Sequence, residues 1–156
     1  MNINLIVLGK LKESFWREAQ SEYLKRLQGF AKVNIIELRE ESFTEKDLAG
    51  KIKTKEAEKI ITSLPKDSFV VVMDENGKKF SSVQFSKHLN VLMDNKIGNI
   101  TFIIGGPLGL DKKILDLANL KFSLSDLTFT HQMARVFLLE QIYRAFMIMG
   151  GRKYHY

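Results

Sequence analysis

The chain has 156 residues, of which 24 are lysine or arginine and 18 are aspartate or glutamate, so its formal net charge is +6. Hydrophobic residues make up 45% of it and there are only two prolines, a composition typical of one folded domain over residues 1–156 rather than of a disordered chain. There is no cysteine, which excludes disulfides and thiolate metal sites.

No segment has the length and composition of a membrane span or of a secretion signal. The longest stretch without a charged residue, 97–110, contains four glycines and a proline and is shorter than the ~18 apolar residues that a span needs. The first ten residues have a short apolar run with no basic segment before it. We therefore expect a cytoplasmic protein, and its positive charge permits contact with nucleic-acid phosphates without demonstrating it.

Short apolar stretches of strand length alternate along the chain with segments whose apolar residues recur at helical spacing. This alternation predicts an α/β fold with a parallel sheet. Because FVVVMD and ITFII are apolar at consecutive positions, helices should cover both faces of that sheet. The predicted strands are 4–9, 33–38, 69–73, 100–104 and 121–124.

Two segments mark the ends of predicted helices. Ser42 and Glu45 have the spacing of a capping box before the second helix, and Pro65 follows that helix.

The last helix, over Met133–Met149, is apolar on nearly every face. Such a helix packs one face on the sheet and another on a second subunit, which predicts a homodimer; the alternative is a central helix within a monomer.

The most informative stretch is NITFIIGGPLGLDKK, a buried strand that leads into Gly105, Gly106 and Gly109 and then into a helix near Asp111. Ligands of open α/β sheets bind beyond the carboxyl ends of strands, and glycine lets a ligand approach the backbone. The loop is neither a Walker A loop nor GxGxxG, so the usual marks of a phosphate-bearing cofactor are missing. The alternative is a tight turn without a ligand.

A second loop, from Ser123 to His131, contains small and hydroxylated residues before the last helix. Its side chains suit the polar edges of a ligand, although Ser125, Asp126 and Thr130 are equally suited to capping a helix. His131 is a candidate general base, an orienting residue or a core histidine. The three histidines have no metal-binding spacing, so no metal site is predicted.

Two further groups have alternative interpretations. Asp74 and Glu75 end the third predicted strand, where they could hold ribose hydroxyls, but a turn at Asn76 and Gly77 is favoured. The tail from Arg152 to Tyr156 mixes cations with rings, which suits contact with phosphates and an unstacked base; the alternative is a frayed terminus.

Several of these motifs together resemble one family over the whole chain. They are the opening VLGKLKESFW, the strand and turn VVMDENGK, FIIGGPLGL, SLSDLTFTHQMARVFLLEQIYRAF and the closing KYHY. The sequence is similar to the ribosomal RNA large subunit methyltransferase H family of SPOUT methyltransferases. The resemblance implies an α/β domain with a trefoil knot near its carboxyl end, a homodimer, and S-adenosylmethionine bound in the knot against three loops.

The family's reaction is methylation of N3 of a pseudouridine in a hairpin of large-subunit (23S) ribosomal RNA, with the assembled ribosome as substrate. The absence of phosphate marks agrees with this cofactor, because S-adenosylmethionine has no phosphate. By position, the resemblance assigns to the cofactor site Met73, Gly105, Leu124, Ser125, Asp126, Leu127, Thr128 and Phe129.

The resemblance also suggests roles in catalysis and RNA binding. His131 matches the family's loop histidine and is the first candidate to accept the N3 proton; Tyr154 and His155 match the tail pair, which in a dimer completes the partner's pocket. Members often have proline before the loop histidine, where Thr130 stands here, and this puts the rigidity of the loop in question. The residues expected to contact RNA phosphates are Arg135, Arg144, Arg152 and Lys153, although Arg135 and Arg144 could instead pair with Glu140.

Two other classes of function compete with a methyltransferase. A ribosome-associated RNA-binding module without catalysis needs only the basic tail, and a flavodoxin-like domain would bind a phosphate-bearing nucleotide. The missing phosphate marks count against the flavodoxin-like domain. The glycine loop and the hydroxylated loop favour the enzyme over the binding module, which has no use for a pocket lined by backbone.

Overall fold

The computed structural model describes residues 1–42, 44, 48–152 and 154. Five strands and five helices alternate along this part of the chain. They are β1 (Asn2–Leu8), α1 (Ser14–Leu27), β2 (Lys32–Leu38), α2 (Ala49–Ser63), β3 (Phe69–Lys79), α3 (Ser82–Asp94), β4 (Asn99–Ile104), α4 (Lys112–Leu117), β5 (Leu120–Ser123) and α5 (His131–Met149).

All five strands form one parallel sheet in the order β2-β1-β4-β3-β5, which confirms the predicted α/β class. Helices cover both faces, as the continuous apolar runs of the central strands require. On one face α1, α3 and α5 bury Leu27, Phe85 and Leu138 against the sheet. On the other, α2 and α4 bury Ile60 and Ile114. The carboxyl ends of all strands therefore meet at one edge.

The third strand differs from its prediction, because it continues past Asp74 and Glu75 to Lys79. Its pairing with β5 changes register, so that Met73 and Lys78 both pair with Phe122. A Cβ at Gly77 would lie 2.6 Å from the backbone nitrogen of Phe122, so only glycine lets the two strands approach here. The extra residues form an irregularity within the strand rather than a turn that ends it.

The boundaries of two helices also differ from their predictions. The second helix begins at Ala49, so Ser42 does not cap its first turn, and Glu45 lies outside the described residues. A capping box occurs instead at α3, where Ser81 Oγ accepts from the Gln84 N–H at 3.2 Å. Gln84 Oε1 in turn accepts from the Ser81 N–H at 2.8 Å, which completes the capping box.

In the last helix eight of the 19 residues are buried and ten are partly buried, in agreement with its apolar sequence. It packs against α1, α3 and β4 within the same chain. The homodimer and the trefoil knot both stay predictions, since a subunit contact needs a second chain and strand order alone does not define threading. In the described part of the chain, no helix has both the length and the apolarity to cross a membrane.

Candidate active site

A cavity of about 700 Å³ opens at the carboxyl ends of β4 and β5, beside residues 73–75 of β3, and its volume is within the range of small-molecule sites. Its walls come from the loop after β4, the loop after β5 and the first turn of α5. The two loops singled out from the sequence therefore face each other across one space. This arrangement follows from the parallel sheet, because consecutive βα loops emerge at the same edge.

The glycine loop is tightly folded on one side of the cavity. A Cβ at Gly105 would lie 2.9 Å from Leu110 Cγ. Glycine at position 105 therefore lets the start of the loop pack against its end at Leu110. Gly109 has a φ of +75°, and its N–H donates to the Gly106 carbonyl oxygen at 3.0 Å. At its glycines the loop thus presents backbone to the cavity, and Pro107, Leu108 and Leu110 complete this wall.

The hydroxylated loop holds itself in shape through its own serines. Ser123 Oγ donates to the Ser125 carbonyl oxygen at 2.8 Å, and Ser125 Oγ accepts from the Leu127 N–H at 3.0 Å. Ser125 therefore stabilises a turn and does not cap α5. Leu127 is 73% exposed although it lines the cavity, so a large apolar side chain lies at the rim.

Most of the residues that the resemblance assigned to a cofactor line this cavity. Asp126 is the exception, because its carboxylate is exposed and pairs with the Lys79 ammonium outside the lining. Its expected cofactor contact therefore does not match its position here. The members of the set that line the cavity are Met73, Gly105, Leu124, Ser125, Leu127, Thr128 and Phe129.

His131 also lines the cavity, as the first residue of α5. Thr130 caps the helix by accepting from the Met133 N–H at 3.3 Å. Gln132 Oε1 accepts from the Lys12 N–H at 2.8 Å, which ties this turn to the loop after β1. Behind His131 lies Glu40, whose Oε1 is 3.7 Å from His131 Nε2.

Charged groups surround the cavity mouth. Lys53, Asp74 and Glu75 line the cavity, and Asp74 Oδ1 accepts from the Asn76 N–H at 3.1 Å within the irregular part of β3. Asp111 accepts from the Lys113 N–H at 2.8 Å and from Thr54, and the first of these bonds chiefly lowers the pKa of its carboxyl group.

Arg135 occupies a position that conflicts with the expected phosphate contact. It is 2% exposed, and its Nη2 donates to Glu37 Oε1 at 2.8 Å. Burial lowers the pKa of its guanidinium group, and the pairing with Glu37 opposes that shift. Arg135 therefore joins α5 to β2 inside the fold rather than presenting charge to RNA.

Arg144 and the tail meet near the other end of α5. Arg144 donates to Glu140 Oε1 through both Nε at 2.9 Å and Nη2 at 2.5 Å, the alternative pairing considered from helical spacing. Its Nη1 donates to the Tyr154 carbonyl oxygen at 3.1 Å, and its Cζ lies 4.8 Å from the Tyr154 ring centroid. Arg152 is exposed beside Phe30. Lys153 and His155 lie outside the described residues.

Two residues of this region had not been selected from the sequence. Lys53 belongs to α2, where spacing indicates only an exposed face. Glu40 follows β2, and the signal for it was its place just beyond the carboxyl end of a strand next to β1. Over the residues that the structure describes, no group of three or more histidine, aspartate or glutamate side chains is arranged to hold a metal ion.

Comparison with known proteins identifies the family. The family model described as "Predicted SPOUT methyltransferase" matches residues 1–155. The chain belongs to the SPOUT methyltransferase family. This agrees with the resemblance found in the sequence motifs.

Curated relatives match over nearly the whole chain. The chain is 49% identical to "Ribosomal RNA large subunit methyltransferase H" of Clostridium acetobutylicum and 43% identical to the protein of that name from Halothermothrix orenii. Each match covers 99% of this chain and 99% of the relative. In fold, the chain is similar to a probable methylase family protein from Haemophilus influenzae, with a TM-score of 0.58 and 13% identity, over 99% of this chain and 70% of that one.

Proposed function

We propose that this chain is an S-adenosylmethionine-dependent methyltransferase that methylates N3 of a pseudouridine in 23S ribosomal RNA, on the assembled ribosome and as a cytoplasmic homodimer. The observation that carries the proposal is the cavity between the glycine loop and the hydroxylated loop, in a chain of the SPOUT methyltransferase family. The names of the relatives support ribosomal RNA as the substrate.

The residues around the cavity fit this cofactor. Apolar side chains such as Met73, Leu124 and Phe129 suit an adenine ring and a thioether chain, while Ser125 and Thr128 offer hydroxyls for polar edges. Because Gly105 packs closely on Leu110 and has no side chain, a ligand can approach the backbone at that position. When bound, S-adenosylmethionine supplies a methyl carbon on a positively charged sulfur that departs as a neutral thioether.

The protein's own contribution is alignment and removal of a proton. Pseudouridine N3 bears a proton that must leave before or during attack, so an acceptor has to lie near it. His131 lines the cavity and is the proposed acceptor. Holding the base against the cofactor at near-attack distance supplies much of the rate enhancement in such a transfer.

The tail is proposed to act on the partner's cavity. Tyr154 packs against Arg144, which lies about 20 Å along α5 from His131 at 1.5 Å per residue. The cavity lining contains no described residue after Ala134. A second protomer is therefore the proposed route by which Tyr154 and His155, with Arg152 and Lys153, contribute to methylation.

The first test is calorimetric titration of the purified protein with S-adenosylmethionine and S-adenosylhomocysteine. ATP and flavin mononucleotide are the matched controls. We expect saturable binding of the first two only, followed by transfer of labelled methyl to pseudouridine in ribosomes. Binding of neither by the folded protein would favour a non-catalytic RNA-binding module, and binding of the phosphate-bearing controls would favour a nucleotide-binding domain.

A further inference from the structure

Two polar atoms buried beside the cavity face each other without a hydrogen-bond partner among the described residues. They are Glu40 Oε1 and His131 Nε2, and they lie 3.7 Å apart. The side chains are 29% and 19% exposed, respectively, so each presents another part to solvent or to the cavity. Buried polar atoms nearly always find a partner, and for these two the nearest complementary group is the other.

The surrounding backbone is shaped to keep this carboxylate in place. Gly9 has a φ of +85°, and a Cβ there would lie 2.5 Å from Glu40 Oε1 and 3.3 Å from His131 Nε2. Gly106 is also close, since its Cβ would lie 3.8 Å from Glu40 Oε1. The loops after β1, β2 and β4 therefore converge on one carboxylate behind the histidine.

The geometry points to Glu40 as the positioning residue for His131 in proton removal. The inference rests on the proposed function, in which His131 is the acceptor. When Nε2–H donates to Glu40 Oε1, the proton of the neutral ring is fixed on Nε2 and the lone pair lies on Nδ1. The pair is longer than a hydrogen bond here, and such contacts often tighten only when substrate is bound.

The proton transfer balances without any additional reactant. The N3–H bond of the base breaks, its proton passes to His131 Nδ1, and its electron pair stays on N3 for the bond to the methyl carbon. The sulfur of bound S-adenosylmethionine would keep the electron pair of the broken carbon–sulfur bond and leave as a neutral thioether. The ring becomes an imidazolium at the amino-terminal end of α5, where a helix disfavours positive charge. The Glu40 carboxylate offsets that charge as it forms, which is the role of an acidic partner in histidine catalysis.

Substitutions of Glu40 test this role, with Glu41→Gln as the matched control. Glu41 is the next residue, and its carboxylate pairs with Lys59 rather than with His131. For Glu40→Gln we expect kcat on ribosomes to fall at least about tenfold, a part of the ~10²–10⁴ attributed to general-base catalysis. The KM for ribosomes and the cofactor Kd should change less than about twofold, since Glu40 contacts the histidine rather than a ligand. Glu40→Asp keeps the carboxylate but on a shorter side chain, so it should retain more activity than Glu40→Gln and less than the unmodified protein.

A spectroscopic measurement distinguishes a Glu40 that orients the His131 ring from one that only supports the fold. In ¹⁵N-labelled protein, the ring nitrogens of His131, assigned with His131→Ala, should show the proton on Nε2, and Glu40→Ala should give a mixture of tautomers. An unchanged tautomer, a kcat equal to that of Glu41→Gln, or a loss of cofactor affinity parallel to kcat would each overturn the inference. Inactivity of the unmodified protein on ribosomes would instead refute the proposed function, and the tautomer measurement would still decide whether Glu40 orients His131.

Discussion

The carboxyl group of Glu56 lies inside the fold, where the residue is 5% exposed and accepts from the Glu41 N–H at 3.1 Å. Burial raises its pKa, and the bond from Glu41 opposes the shift only in part. The folded state therefore binds this proton more tightly than the unfolded chain does. Its contribution to stability is fully present below the ordinary glutamate range near pH ~4.3 and is lost as pH rises through the raised pKa.

Glu56→Gln should remove this pH dependence while its carboxamide oxygen still accepts from Glu41. We expect the melting temperature of the variant, relative to that of the unmodified protein, to rise between about pH 4 and about pH 8, because only the unmodified protein charges a buried group. Thermal unfolding over that range measures it. A difference in melting temperature that stays constant with pH would show that burial does not raise the pKa of Glu56. The control is Glu58→Gln, at an exposed position of the same helix.

At this scale the sequence identifies residue types but not partners. Arg135 was expected to contact RNA phosphates or to pair with Glu140 at helical spacing, and the structure pairs it with Glu37 instead. Its partner Glu37 lies 98 positions earlier, on a strand that only the folded sheet brings beside α5. His131 could be selected from its loop. For Glu40 the sequence indicates only its place just after a strand, since its proximity to His131 depends on the order of β1, β2 and β4.

Among the elements, the start of α5 is where the chain departs from the pattern it resembles. Thr130 stands where family members often have proline, and its φ of −62° is one that proline adopts without strain. Threonine instead supplies a side-chain cap for Met133. The two residues thus stabilise the same turn by different means, one by restricting the unfolded chain and one by a hydrogen bond.

This difference predicts which of two variants at position 130 is the more stable. Thr130→Ala should cost about 1 kcal/mol, or roughly 2–4 °C in melting temperature, because it loses the cap and gains nothing. Thr130→Pro should cost less, since restricting the unfolded chain returns about 0.4–1 kcal/mol. Thermal unfolding decides the order, with Thr62→Ala on α2 as a surface control. A proline variant less stable than the alanine variant would contradict this account of the turn.

The strands follow closely from the sequence because buried parallel strands are apolar at consecutive positions. All five predicted strands exist, with ends shifted by a few residues. The extension of β3 to Lys79 was missed, since it depends on the close approach of Gly77 to Phe122, which is a contact between strands rather than a local preference. The late start of α2 at Ala49 likewise shows that capping spacing alone does not define where a helix begins.

At the scale of the whole molecule, the parallel sheet sets the position of the site, and α5 places the carboxyl-terminal tail away from it. The loops meet at one edge because every strand ends there, which sequence reasoning could foresee from the strand pattern. The tail leaves α5 at its far end, and Tyr154 contacts Tyr143 and Arg144 on that helix rather than His131. We therefore expect the proposed site to be complete only when two protomers share it.

Mixing two inactive variants tests this sharing. One is His131→Ala with an intact tail, and the other keeps His131 but lacks 152–156. The cavity of the tail variant is unchanged, so this variant should keep nearly normal cofactor affinity while losing methylation. When the two exchange subunits, half of the dimers are mixed and each contains one complete site, so about a quarter of normal activity should return. A tail that served its own cavity would leave both protomers of every mixed dimer defective, and no activity would return at any mixing ratio.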